Sequence, residues 1–182
     1  MLDYLSLIHQ YYPLGEKSYK IFLIHAVLVT NKALKIANKL QLNQEQLIFI
    51  EEAAMLHDIG VIKVQCEKMA CQGILPYIAH GLAGAEILRQ EGLPRHALVA
   101  ERHVGVGLTK KEILARKLPL PPQDYLPLSI EEKIITYADL FFSKRESTLW
   151  HEDQPADIMA ELKTFGQDQV AIFQAWQKEF ES

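Results

Sequence analysis

Met55-Leu56-His57-Asp58-Ile59-Gly60 sets an imidazole beside a carboxylate at the end of an apolar helical segment, and a glycine follows almost at once. An acid does not belong in such a run unless something positive meets it there. An unpaired buried carboxylate costs several kcal/mol in practice. The most economical partner for a His-Asp pair is a metal ion. Four further residues stand at plausible places to share one: His25, His80, His103 and Asp139.

Working outward, helical periodicity dominates and no stretch alternates cleanly enough to be read as a strand. Leu47, Ile50, Ala54, His57 and Val61 share one stripe of a helix that Asn43 and Gln46 open as a capping box and that runs to Asp58. Gly60 is expected to supply its left-handed C-cap. Upstream, Asp3 caps a short helix through Tyr12. A long helix over 16–40 follows, with Phe22, Ala26, Val29, Ala33, Ile36 and Leu40 on its apolar face and His25 at the edge of that face.

Downstream, residues 64–75 read as irregular. Pro76 opens a helix over 76–91 carrying His80, and Pro94 opens one over 94–104 carrying His96 and His103. Thr109 and Glu112 box a short basic helix, Lys110 to Lys117. A proline-stiffened stretch from Leu118 to Pro127 reads as a connector or as a rim over a site. Ser129 with Glu132 is the clearest capping box, and its helix carries Asp139 within an apolar segment. A last helical region begins at Pro155, breaks near Gly166 and docks through Phe165, Val170, Phe173 and Trp176.

The 182 residues make one domain, 1–182, with a core over about 18–145 and a C-terminal helical segment over about 155–181. Such a chain buries roughly 70 % of its unfolded surface. Hydrophobic residues at 49 % and charged residues at 23 % are ordinary for a globular protein, and the net charge of −4 argues against bulk binding to nucleic acid or to an anionic membrane. The longest apolar run, Ile21 to Val29, is interrupted by His25 and is too short to span a bilayer. No basic leader follows Met1-Leu2-Asp3, so a cytoplasmic location is expected. Cys66 and Cys71 are too few for a disulfide scaffold and read as reduced thiols.

Four imidazoles and two carboxylates suit a pair of borderline cations such as Fe, Mn, Co or Zn. Asp58, next to a ligating histidine, is the natural carboxylate to bridge them. Two metals about 3.5–4 Å apart would activate a water between them and clamp both oxygens of an in-line displacement at phosphorus. Taken singly, a histidine of this kind is more often hydrogen-bonded structure than ligand. Six such residues on five helical segments reverse that weighting.

The order His25, then His57-Asp58, then Asp139 resembles the H…HD…D signature of the HD-domain metal-dependent phosphohydrolases. His57-Asp58-Ile59-Gly60 looks like their HDIG form. His80-Gly81 with Gly84, and Glu101-Arg102-His103-Val104-Gly105-Val106-Gly107, look like the two extra histidine motifs of the six-ligand, binuclear members. Glu131-Glu132-Lys133-Ile134-Ile135 leading to Ala138-Asp139 looks like the helix of the last acid. The resemblance covers roughly residues 18–145. It implies an all-α fold of five or more core helices with a C-terminal helical extension. It also implies an enzyme that hydrolyses a phosphate ester or anhydride, often of a nucleotide, by attack of a metal-bridging hydroxide.

Carried over residue by residue, His25, His57, Asp58 and Asp139 are the core ligands, and His80 and His103 complete a second metal site. Two divalent ions are implied, Fe or Mn first, with Co, Ni, Mg or Zn as alternatives. Asp58 and Lys63 are the candidate catalytic groups, Lys63 being the nearest match to a general-acid lysine of some members. Lys63, Arg102 and Lys144 are candidates to hold substrate phosphate. The implied partner is a small phosphorylated molecule such as a nucleotide, and a homodimer is left open. The GYP signature of cyclic-di-nucleotide phosphodiesterases is absent and no second histidine precedes His103, so cyclic-di-GMP is not the expected substrate. His9, His96 and His151 match no motif and are read as structural or exposed. Two rivals share the fold: a mixed-valent di-iron oxygenase with the same ligands, and a non-catalytic nucleotide sensor.

Overall fold

The computed structural model describes residues 2–181, and the described residues are overwhelmingly helical. The elements run α1 (Tyr4–Tyr11), α2 (Lys17–Lys39), α3 (Gln44–Leu56), β1 (Gln65–Cys66), β2 (Cys71–Gln72), α4 (His80–Gln90), α5 (Pro94–Arg102), α6 (Lys110–Ala115), α7 (Ile130–Asp139), α8 (Pro155–Lys163) and α9 (Gln167–Glu181). The fold is the all-α HD helical fold expected from the sequence.

The long helix α2 organises the rest. Phe22, Ala26, Val29, Ala33 and Ile36 recur at helical spacing and are all buried. Its N-terminal half packs into a cluster with Tyr12, Leu56, Ile59, Met69 and Leu88. Its C-terminal half packs into a second cluster built on Tyr137, Phe141, Phe173 and Phe180. By length and composition alone α2 is long and apolar enough to cross a membrane, although its longest unbroken apolar run is too short to do so. Half of its most apolar window is buried within the protein, and a buried histidine sits on it.

Capping follows the sequence at most ends. The Asp3 carboxylate accepts from Ser6 N–H at 3.0 Å. The Asn43–Gln46 and Thr109–Glu112 boxes are both reciprocal. The Ser129 box is only half formed. Ser129 accepts from Glu132 N–H, but the Glu132 carboxylate instead takes Leu128 N–H and the Arg102 guanidinium, each at 3.0 Å. A nearby cation outbids the cap for that carboxylate.

Several expected boundaries move. Helix α3 stops at Leu56, two residues early, and a 3₁₀ turn over Ile59–Lys63 carries the chain out of the site. Gly60 is no left-handed cap, since its φ is not positive. It is there for close approach: a Cβ on it would lie 2.1 Å from the His80 carbonyl oxygen and 2.2 Å from Gly84 N. Glycine is the residue that lets this turn press onto α4. The stretch 64–75 is not irregular but a small antiparallel hairpin that pairs Cys66 with Cys71, both buried and unbonded. Pro76 is extended at ψ 148° and so lies outside the helix. A 3₁₀ turn, Tyr77–Ala79, separates it from α4. Phe165 does not dock: it is 45 % exposed under the Arg116 guanidinium, while Phe173 and Trp176 are buried as expected. The proline-rich stretch is anchored by a mutual pair of backbone hydrogen bonds between Leu108 and Tyr125.

Candidate metal centre

Five segments converge at the seam between the two apolar clusters. His57 follows Ala54 of one cluster and Leu56 of the other, and His103 follows Val99 of one and Ala100 of the other. Except for His25, within α2, the side chains stand at helix ends. His57 and Asp58 follow α3, His80 opens α4, His103 follows α5 and Asp139 closes α7. Helix ends leave backbone carbonyls without intrahelical partners, and three of the imidazoles use carbonyls three residues upstream. His57 Nδ1 lies 2.6 Å from Ala54 O, His80 Nδ1 2.7 Å from Tyr77 O, and His103 Nδ1 2.8 Å from Ala100 O. A carbonyl only accepts, so each Nδ1 carries the hydrogen and each Nε2 is left with a bare lone pair.

Those lone pairs meet carboxylate oxygens in two groups. In the first, His25 Nε2 is 2.9 Å from Asp139 Oδ1 and 3.3 Å from Asp58 Oδ2, and His57 Nε2 is 3.4 Å and 3.5 Å from the same two oxygens. In the second, His80 and His103 each place Nε2 3.4 Å from Asp58 Oδ1. Asp58 therefore belongs to both, one oxygen to each. The ligand atoms of each group lie within 4.8 Å of one another.

These contacts are close but poorly directed. His25 Nε2, His57 Nε2 and Asp139 Oδ1 are buried at ion-pair distance from one another, yet make no hydrogen bond. That is the signature of donors aimed at a common point rather than at each other. The His80 and His103 Nε2 atoms face one another at 3.1 Å. With both Nδ1 atoms protonated, two lone pairs would repel there unless a cation lies between them. Burial pulls His80 down to about 4, so a proton is a poor candidate near neutrality. The donor set fits divalent metal ions of the nitrogen- and oxygen-binding kind.

Burial pushes the Asp58 and Asp139 carboxyls up, but Lys144 and the surrounding imidazoles outweigh it and hold both well below the usual range. Lys144 is the one phosphate-binding candidate that the structure brings to the centre. Its ammonium is 2.7 Å from Asp58 Oδ2 and 3.6 Å from Asp139 Oδ1. Burial pulls it down and the two carboxylates, Asp139 first, more than restore it.

The other two candidates lie elsewhere. Lys63 ends the 3₁₀ turn on the exposed side and makes no ion pair among the described residues. Arg102 is held 3.0 Å from Glu132. His96, on the face of α5 that leads to His103, is buried against Glu52 at 3.3 Å and takes no part in the centre. Concavities of about 440 Å³ at the hairpin and about 380 Å³ along α2 include none of the ligands.

Tyr77 escaped the sequence reading. Its carbonyl orients His80, its ring lies 4.8 Å from the His80 ring, and its phenol stands in the field of Lys144, Asp58 and Asp139. Lys144 pulls the phenol down while burial and the carboxylates push it up, to about 12. The available signal was positional, since residue i−3 from a helix-end histidine supplies the carbonyl that orients it.

Comparison with known proteins agrees with this architecture. A family model described as HD domain matches residues 22–142. The uncharacterized protein MJ0778 of Methanocaldococcus jannaschii is 47 % identical over 94 residues, 50 % of this chain and 48 % of that one. The tRNA (cytidine(56)-2'-O)-methyltransferase of Thermoplasma volcanium is 36 % identical over 133 residues, 72 % of this chain but 34 % of that protein. The chain thus spans about half or less of the length of these curated relatives. The HD domain of the L. monocytogenes phosphodiesterase PgpH, in complex with cyclic-di-AMP, superposes with a TM-score of 0.55 over 96 % of this chain and 94 % of that one. At 19 % identity that likeness carries the fold alone.

Proposed function

The chain belongs to the HD-domain family, and from that premise we propose that it is a metal-dependent phosphohydrolase acting on a phosphate ester or anhydride of a nucleotide. The observation that carries this reading is the division of Asp58, whose Oδ2 faces His25 and His57 while its Oδ1 faces His80 and His103. One carboxylate shared by two ligand groups would hold two cations side by side, as a two-metal displacement at phosphorus uses them.

The chemistry that two divalent cations supply at such a point is polarisation of a phosphoryl oxygen and activation of a water. His25, His57, Asp58 and Asp139 would hold one ion, and Asp58, His80 and His103 the other, with Fe or Mn the first choices. The protein's own part is preorganisation. The three carbonyl-tethered imidazoles keep their Nε2 lone pairs fixed and inward, so that no ligand has to reorient. Asp58 stays ionised although buried, and its fixed charge acts in surroundings where charge is weakly screened. The Lys144 ammonium, beside the same carboxylates, would meet phosphate oxygens. The cyclic-di-AMP bound by the PgpH domain supports a nucleotide as the kind of substrate. The methyltransfer in the name of the Thermoplasma relative describes a protein of which this chain matches 34 %, and no residue here is assigned to it.

The test is an activity screen. The purified chain, loaded in turn with Mn, Fe, Co, Ni and Mg, is assayed on a panel of nucleotides, dinucleotides and simple phosphoesters. Release of phosphate or nucleoside monophosphate is the expected result. No turnover with any metal would sink the reading, and oxygen consumption by the iron-loaded form would transfer it to the oxygenase class.

A further inference from the structure

The chain has 7 tyrosines, and their hydroxyls sort cleanly. Tyr4, Tyr11 and Tyr137 donate to the carboxylates of Glu51, Glu91 and Glu181 at 2.7–2.9 Å. Tyr12 and Tyr125 donate to backbone carbonyls, and Tyr19 meets the His9 ring at 3.1 Å. The hydroxyl of Tyr77 alone has no hydrogen-bond partner among the described residues. Yet Tyr77 is the tyrosine at the metal centre, with its ring against His80 at 4.8 Å and 34°.

A phenol is a good donor, and one left without a protein acceptor is either idle in solvent or kept for something that arrives. Three observations favour the second. The ring is held, because it packs against the His80 ring and the 3₁₀ turn over Tyr77–Ala79 and the carbonyl bond to His80 Nδ1 fix the backbone that carries it. The phenol lies within the field of Lys144, Asp58 and Asp139. The residue is nonetheless 42 % exposed, next to the exposed side chains of Ile74 and Leu75, so a molecule entering from outside reaches it. A phosphoryl group brings acceptors and no donors, and among the described residues Lys144 is otherwise the one side-chain cation paired with the ligand carboxylates Asp58 and Asp139.

We propose that Tyr77 is a substrate-binding residue whose hydroxyl donates a hydrogen bond to a non-bridging phosphoryl oxygen at the mouth of the metal centre. The proposal rests on the phosphohydrolase reading and adds a specificity-determining group to it. Lys144 and Tyr77 then form two sides of a phosphate clamp, one a charge and the other a directed neutral donor.

The test uses the full chain loaded with Mn, with inorganic phosphate as the probe. Calorimetry gives the phosphate Kd, elemental analysis the metal content, and steady-state kinetics on the best substrate of the panel the split between KM and kcat. Tyr77→Phe keeps the ring on His80 and removes only the O–H. It is expected to retain the wild-type metal content and to bind phosphate about tenfold more weakly, the scale of one hydrogen bond to a charged acceptor. The kinetic loss should fall mainly on KM. A second variant, Tyr77→Leu, also removes the ring packing. If Tyr77→Phe binds phosphate as the wild type does, Tyr77 merely braces His80 and the proposal is overturned. Joint loss of metal and phosphate from the Phe variant overturns it too. Failure of the metal-loaded wild type itself to bind phosphate removes the phosphohydrolase reading and Tyr77's role with it, an outcome distinct from the first two.

Discussion

His96 and His103 stand on the same face at opposite ends of α5, both buried, and they behave oppositely. His96 is closed off. Its Nε2 meets Glu52 Oε2 at 3.3 Å, its ring takes the edge-on packing of Phe49, and the other Glu52 oxygen accepts Leu2 N–H at 2.7 Å. His103 is left open. Its Nδ1 is tied to Ala100 O, and its Nε2 faces a carboxylate oxygen of Asp58 at 3.4 Å and another bare nitrogen at 3.1 Å. Burial alone therefore does not mark a ligand. What marks it is a lone pair that the protein has oriented and then left unmatched. The His96–Glu52 pair is a finished structural contact, whereas the His103 side of α5 needs a cation to complete it.

The largest expected effect comes from removing the group on which the open side depends. Asp58→Asn takes charge from both ligand groups at once while keeping the shape. We expect the purified variant to carry less than half the metal of the wild type. Its turnover should fall on the order of 10³-fold, since electrostatic stabilisation of a phosphoryl transition state is worth several kcal/mol and each 1.4 kcal/mol is a factor of ten. Elemental analysis and initial rates decide it. Metal content equal to wild type would mean that the two groups do not share Asp58.

Next in size is Lys144→Met, which sharpens the comparison from the side of charge. Lys144 is the cation that the protein itself supplies to Asp58 and Asp139. With metal chelated away, the variant leaves two buried carboxylates with only imidazoles to compensate them. Breaking a buried pair in this way costs roughly 3–5 kcal/mol, which urea unfolding of the metal-free protein measures. With metal present the loss should shrink, because a divalent ion takes over the compensation, and metal affinity should rise as a competing ammonium is gone. An equal loss with and without metal would show that Lys144 packs rather than compensates.

The open side was more legible in the sequence than its surroundings. His25, His57, Asp58 and Asp139 sit in or at the end of apolar runs that should not tolerate them, while His80 and His103 stand out through the motifs they share with the HD-domain family. The structure gathers all six. The helices were equally plain, because a 3.6-residue stripe and a capping residue are local signals. What escaped depended on distant contacts. Gly60 looks like a cap until His80 and Gly84 are seen pressing on it. Ser129–Glu132 looks like a full box until Arg102 takes the carboxylate. Lys63 is the lysine nearest after the His-Asp pair along the chain, but it ends a 3₁₀ turn with its side chain exposed. Tyr77 carries no local anomaly at all, because an exposed tyrosine in a turn is ordinary.

The smallest expected effect lies on the closed side, and it is the one that most directly breaks the comparison. His96→Gln should leave metal content and turnover unchanged and cost about 1 kcal/mol, one net hydrogen bond. Burial lowers the His96 pKa, with Glu52 acting against it. A lowered imidazole pKa means that the unfolded chain takes up a proton before the folded one as pH falls. The contribution of His96 to stability is therefore complete above its ordinary value of about 6.5 and is lost as the pH falls through the folded value. Wild-type stability should decline from pH 7 toward pH 5, and the glutamine variant should decline less steeply, since no group titrates at that position. Parallel urea titrations across that range read the difference. Loss of metal from His96→Gln would place His96 among the open histidines, and the line drawn through α5 between structural pair and ligand would have to move.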